Sequence, residues 1–114
     1  MSDCLFCRIV RKEIPAEILH EDDEVLAFRD INPQAPVHFL VIPKKHLSSL
    51  AEVTATDERL LSRIVAAINA VAAKQGLGAG GFRVVTNVGR EAGQTVPHLH
   101  FHVLGGRSFA WPPG

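Results

Sequence analysis

The chain has no tyrosine, one tryptophan, one methionine, two cysteines and no net charge in 114 residues. Each shortage excludes something. Cys4 and Cys7 are too few and too close together for a disulfide framework. Twelve Lys and Arg balance twelve Asp and Glu, so the basic excess that nucleic acid or an anionic membrane demands is missing, and neither is an expected partner. No apolar run approaches the roughly 18 residues of a spanning helix. The opening MSDCLFCRIV lacks a basic region followed by an apolar stretch, so no secretory signal is expected and a cytoplasmic location is. With 46% hydrophobic and 21% charged residues the composition is that of a folded chain. Its length suits one domain, residues 1–114.

What the chain does have is six histidines, five of them after residue 37. They fall within a legible α+β pattern. A short helix is expected over residues 3–11, with Asp3 as N-cap and Ile14-Pro15 at its exit. Strands are expected at Ile18–Glu21 and Val25–Arg29 around an Asp22-Asp23 turn, and at Val37–Ile42 between Pro36 and Pro43. The clearest element is a helix capped by Thr56 and closed by Lys74 and Gly76. Leu60, Leu61, Ile64, Val65, Ile68, Val71 and Ala72 form its apolar stripe. Its opposite face carries Ser62, Ala66, Ala70 and Ala73, which suits either a close-packed subunit contact or simple helix propensity. Strands over 82–87 and 98–104 follow, separated by a glycine-bearing turn.

The segment HLHFHVL carries the chemistry. Alternation in a strand puts His98, His100 and His102 on one face and Leu99, Phe101 and Val103 on the other. The apolar face serves a core, whereas three imidazoles in register have no packing rationale. A His-x-His pair can chelate a metal, but the outer two of three lie about 13 Å apart on a straight strand. The other reading is a nucleophilic imidazole flanked by groups that orient it and stabilise charge. His38 joins if its strand lies alongside. Gly89 and Gly93 offer main-chain N–H groups for an anion, Thr95 a hydroxyl and Asn87 an amide. Together these point to metal-independent chemistry on a phosphate ester or amide.

His98-Leu99-His100-Phe101-His102-Val103-Leu104 matches the motif of the histidine triad (HIT) superfamily at every position. AFRDINPQAPVHFLVIPKKH and GQTVPHLHFHVLGGRSFAWPPG resemble its Hint branch, the purine nucleoside phosphoramidases. The resemblance implies a five-stranded antiparallel sheet with one long and one short helix, dimerising into a continuous sheet. It implies hydrolysis of nucleoside 5′-phosphoramidates and aminoacyl adenylates through a nucleotidyl-histidine intermediate, with no cofactor required. His100 would be the nucleophile, His102 would bind phosphate, His38 would support the network, and His98 would orient its neighbours. Thr95 would assist the leaving amine, and Asn87 and Gly93 would hold phosphate oxygens. Asp30 would take the ribose hydroxyls, with Leu5, Phe6, Phe28 and Ile31 lining a purine slot. Trp111 would reach the partner's active site. Pro97, Arg29, Ala110 and the threonine at 95 depart from the branch's usual residues and bear on substrate choice. Cleavage of dinucleoside polyphosphates, or a nucleotide-binding module with incidental hydrolysis, are the alternatives.

Some members of the superfamily bind a structural zinc through a Cys-x-x-Cys pair, the histidine of a Pro-Lys-x-His segment and the first triad histidine. The matching residues here are Cys4, Cys7, His46 and His98, a closed Cys₂His₂ set that reads as structural.

Overall fold

The computed structural model describes residues 4–114. Five strands form one antiparallel sheet: β1 (Ile18–Glu21), β2 (Val25–Arg29), β3 (Val37–Pro43), β4 (Phe82–Val85) and β5 (Phe101–Gly105). Their spatial order is β1-β2-β3-β5-β4, so the histidine-bearing β5 lies between β3 and β4. Register sets Leu40 opposite His102 and His38 opposite Leu104, which puts His38 and His102 on one face. The asymmetry of the two faces follows from alternation along each strand. Val25, Ala27, Phe39, Val41 and Val103 point to one side, where α2 (Glu58–Lys74) covers them. Leu26, Phe28, Leu40 and Ile42 point to the other, where α1 (Leu5–Val10) covers them. Among the described residues no helix is long and apolar enough to cross a membrane.

Both helices begin differently from expectation. The N-cap of α1 is Cys4, whose Sγ accepts from the Cys7 N–H at 3.3 Å; Asp3 lies outside the described residues. Ahead of α2, Thr54 and Asp57 form a reciprocal capping box around the 3-10 turn Ala55–Asp57. Thr56 instead shares a hydroxyl contact with Thr54. Leu60, Ile64, Ile68, Val71 and Ala72 are buried as the stripe predicts, together with Ala67, while Val65 is exposed. Ser62, Ala66, Ala70 and Ala73 face outward.

The last two strands are shorter than the pattern suggests. β4 stops at Val85, and Asn87 lies beyond it. β5 begins at Phe101, not at His98. The register would place residues 99 and 100 against Pro43 and Ile42. Pro43 has no N–H to extend the ladder, and the Leu99 N–H is already given to the Leu47 carbonyl at 2.6 Å. The side chains keep alternating nonetheless: Leu99 sits in the α2-side core, while His98 and His100 pack edge-on against Phe6 of α1.

Candidate active site

His100 is almost fully buried, and its Nδ1 lies 2.7 Å from the carbonyl of His98. A carbonyl only accepts, so Nδ1 carries the hydrogen and Nε2 keeps its lone pair. That is the tautomer a nucleophilic imidazole needs. Phe6 meets the ring edge-on, with centroids 5.1 Å apart, and restrains its orientation.

A second chain of contacts fixes His102. The Gln34 N–H donates to His38 Nδ1 at 3.0 Å, so the hydrogen of His38 must sit on Nε2. That nitrogen lies 3.0 Å from His102 Nδ1, with Asp30 Oδ2 at 3.3 Å. Accepting there leaves His102 with its hydrogen on Nε2. Burial first, then the neighbouring His100 and His38 rings, push His102 down to about 4, against the opposing pull of Asp30. Burial also lowers His38, again against Asp30. Both rings are therefore neutral at physiological pH, and His38 buttresses His102 rather than His100.

The His100 and His102 rings open onto a cavity of about 250 Å³, while His38 stands behind His102 and does not line it. Leu5, Phe6, Phe28, Asp30, Ile31, Thr95, His100 and His102 all line it, as do Ile14, Ala16 and Leu40, which no motif in the sequence marks. Ile31 is 98% exposed on its loop, so nothing in this chain gives it a packing role. Arg29 also lines the cavity while pairing with Glu17 at 3.2 Å.

Three residues expected to hold the anion are not gathered here. The Gly93 N–H donates to the Arg90 carbonyl at 3.0 Å and the Gly89 N–H to Gln94 Oε1 at 2.9 Å. The turn thus consumes the amides that were expected to cradle an anion. Asn87 is half-buried beyond β4 and outside the cavity lining. Trp111 is 82% exposed and does not line the cavity of its own chain.

Cys4, Cys7, His46 and His98 converge beside this site, with one ligand atom from each within 4.8 Å of the others. His98 Nε2 donates to the Pro43 carbonyl at 2.8 Å, which leaves the Nδ1 lone pair facing the cluster. Cys4 Sγ, His46 Nδ1 and Cys7 Sγ lie 3.3, 3.2 and 3.5 Å from it. Cys7 Sγ is 3.2 Å from His46 Nδ1. Tetrahedral zinc with bonds of about 2.1–2.3 Å has ligand edges of about 3.4–3.8 Å, so the set fits that ion closely. Burial, reinforced by Cys4, raises the Cys7 thiol; a cation would reverse that balance. Asp30, His38 and His102 also cluster. The Gln34 contact keeps the hydrogen on His38 Nε2, which denies a metal the lone pair it would need there.

The HIT domain profile matches residues 11–109. The chain belongs to the HIT family. An uncharacterized HIT-like protein of Synechococcus elongatus is 55% identical over 113 residues, covering 99% of this chain and 98% of that one. A HIT family hydrolase from Legionella pneumophila is 49% identical, with a TM-score of 0.96 over 98% of this chain and 100% of that one. A hypothetical histidine triad nucleotide-binding protein from Sulfolobus tokodaii is 36% identical, with a TM-score of 0.76 over 89% of this chain and 67% of that one. The fold described above is thus a HIT fold.

Proposed function

We propose that this HIT protein is a purine nucleotide-binding hydrolase of the Hint type, cleaving nucleoside 5′-phosphoramidates and aminoacyl adenylates to the nucleoside monophosphate. The observation that carries the reading is the His100 Nδ1–His98 carbonyl contact at 2.7 Å, which leaves Nε2 as a nucleophile facing the cavity. The lone pair of His100 Nε2 attacks the α-phosphorus, and the bond to the leaving group breaks. Thr95, which lines the cavity, gives its hydroxyl hydrogen to the departing amine and regains one from the water that attacks next. His102 donates its Nε2 hydrogen to a phosphoryl oxygen, where charge develops in the transition state. Water then attacks the phosphorus, breaks its bond to His100 and releases the monophosphate. Asp30 takes the ribose hydroxyls, while Leu5, Phe6, Phe28 and Ile31 sandwich the base.

The protein acts as a homodimer in this reading. β4 is an edge strand with an unpaired side and exposed Phe82 and Val84, the feature through which two sheets join. Trp111 then serves the partner's site. Sedimentation at micromolar concentration is expected to give a dimer; a monomer would remove that role from Trp111. The Cys4, Cys7, His46 and His98 set holds a structural zinc that takes no part in the chemical step.

The functional test is turnover of adenosine 5′-phosphoramidate without added divalent metal. The wild type is expected to release AMP and His100→Gly is not. Equal turnover by both would sink the proposal.

A further inference from the structure

We propose that Arg107 is a positioning residue for the triad, acting through the main chain of Gln34 to fix the tautomer of His38. The inference rests on the reading of His100 and His102 as catalytic groups, but its own test does not depend on turnover. β5 ends at Gly105, and Gly106, at φ +89°, turns the chain back over the loop of residues 31–36. A Cβ at Gly106 would stand 2.9 Å from Pro36 Cβ, so only glycine brings the two segments this close.

The turn delivers the Arg107 guanidinium onto one carbonyl. Nε and Nη2 both donate to the Gln34 carbonyl, at 3.2 and 3.1 Å. Nη1 donates to the Ser108 carbonyl at 3.0 Å, and the guanidinium lies over the Phe109 ring, 4.2 Å from its centroid. The donor fork is planar and preorganised, and it is held from behind by an aromatic face. Gln34 itself has little else to hold it. Ile31, Asn32, Pro33 and Gln34 are all exposed. The other hydrogen bonds of this loop are local, from the Asn32 N–H to Asp30 Oδ1 and from Gln34 Nε2 to the Asn32 carbonyl.

The N–H of the same Gln34 sets the His38 tautomer, and His38 sets that of His102. Arg107 therefore reaches the phosphate-facing nitrogen of His102 through three successive contacts. With Arg107 gone, Gln34 can turn its N–H away. His38 then loses the donor that bars a hydrogen from Nδ1, and only Asp30 Oδ2, 3.3 Å from Nε2, still favours the original tautomer. Fewer molecules therefore present His102 with its hydrogen on Nε2. A side chain that merely anchored the tail would alter stability and leave the ring tautomers unchanged.

The experiment is ring ¹⁵N NMR of the full chain with Arg107→Ala and Arg107→Lys, alongside kcat and KM for adenosine 5′-phosphoramidate. The wild type is expected to show His38 as a single tautomer with its hydrogen on Nε2. Arg107→Ala is expected to shift it toward a mixture and to lower kcat about fivefold, the cost of roughly one net hydrogen bond, with KM little changed. Arg107→Lys, which offers a point donor without the fork, should recover part of both. Unchanged His38 shifts in the folded alanine variant would overturn the proposal. Should that variant fail to fold, unchanged shifts in the lysine variant would do the same. Absence of wild-type turnover would count against the hydrolase reading and leave the tautomer test standing.

Discussion

His98 serves His100 with its main chain and the cysteine cluster with its ring. Its carbonyl lies 2.7 Å from His100 Nδ1, while its own Nδ1 lies 3.3 Å from Cys4 Sγ. One fully buried residue thus ties α1 to the nucleophile.

Disrupting the cluster should therefore loosen the fold around the site. One zinc per chain is expected by elemental analysis, and Cys4→Ser should abolish it. At free zinc a few hundred times the dissociation constant, the bound ion contributes about 3 kcal/mol to stability. Urea denaturation with and without a zinc chelator reads that difference. No bound metal in protein purified with zinc would remove the assignment.

Ile31 gives a prediction about the base. It is exposed and lines the cavity, so truncating it costs the folded chain almost nothing. Covering part of its side chain on binding contributes about 1 kcal/mol. Ile31→Ala should weaken AMP binding about fivefold by calorimetry, with an unchanged melting temperature.

The depressed pKa of His102 predicts acid sensitivity. The folded value of about 4 lies below the ordinary 6.5, so the unfolded chain binds the extra proton between them. Stability contributed by neutral His102 is present above about 6.5 and is lost as pH falls toward 4, by up to about 3 kcal/mol. His102→Gln should lose this component. Its unfolding free energy should approach that of the wild type as pH falls, and a constant gap would contradict the burial account.

Close packing of β5 makes a fourth prediction. A Cβ at Gly105 would lie 2.6 Å from Leu77 Cδ2, and Leu77 is buried. Gly105→Ala should cost about 1–3 kcal/mol. In that background Leu77→Ala should cost less than it does in the wild type, because the clash disappears with the side chain. Equal costs would show that the two sites are uncoupled.

The sheet and the long helix were legible because short apolar runs bounded by turn residues mark Val25–Arg29 and Val37–Ile42, and a period-3.6 stripe marks residues 60–72. The helix starts were not, because a thiol capped α1 and two threonines competed for the second cap. The triad residues could be named from HLHFHVL, but the partner that fixes each tautomer could not. The partners of His98 and His100 are main-chain carbonyls, of Pro43 and His98, and His102 depends through His38 on the Gln34 N–H; no side-chain pattern reports these main-chain groups. The Gly89–Gly93 turn misled for the same reason: its amides were spent on Gln94 and Arg90, which only the turn geometry reveals.

The central claim is that His100 becomes covalently bonded to phosphorus. The direct measurement is peptide mass spectrometry of the wild-type protein mixed with adenosine 5′-phosphoramidate and quenched in alkali within the first turnover. An adenylyl adduct on His100, absent from His100→Gly, is the predicted result. AMP release with no adduct, or an adduct on a different histidine, would contradict the account.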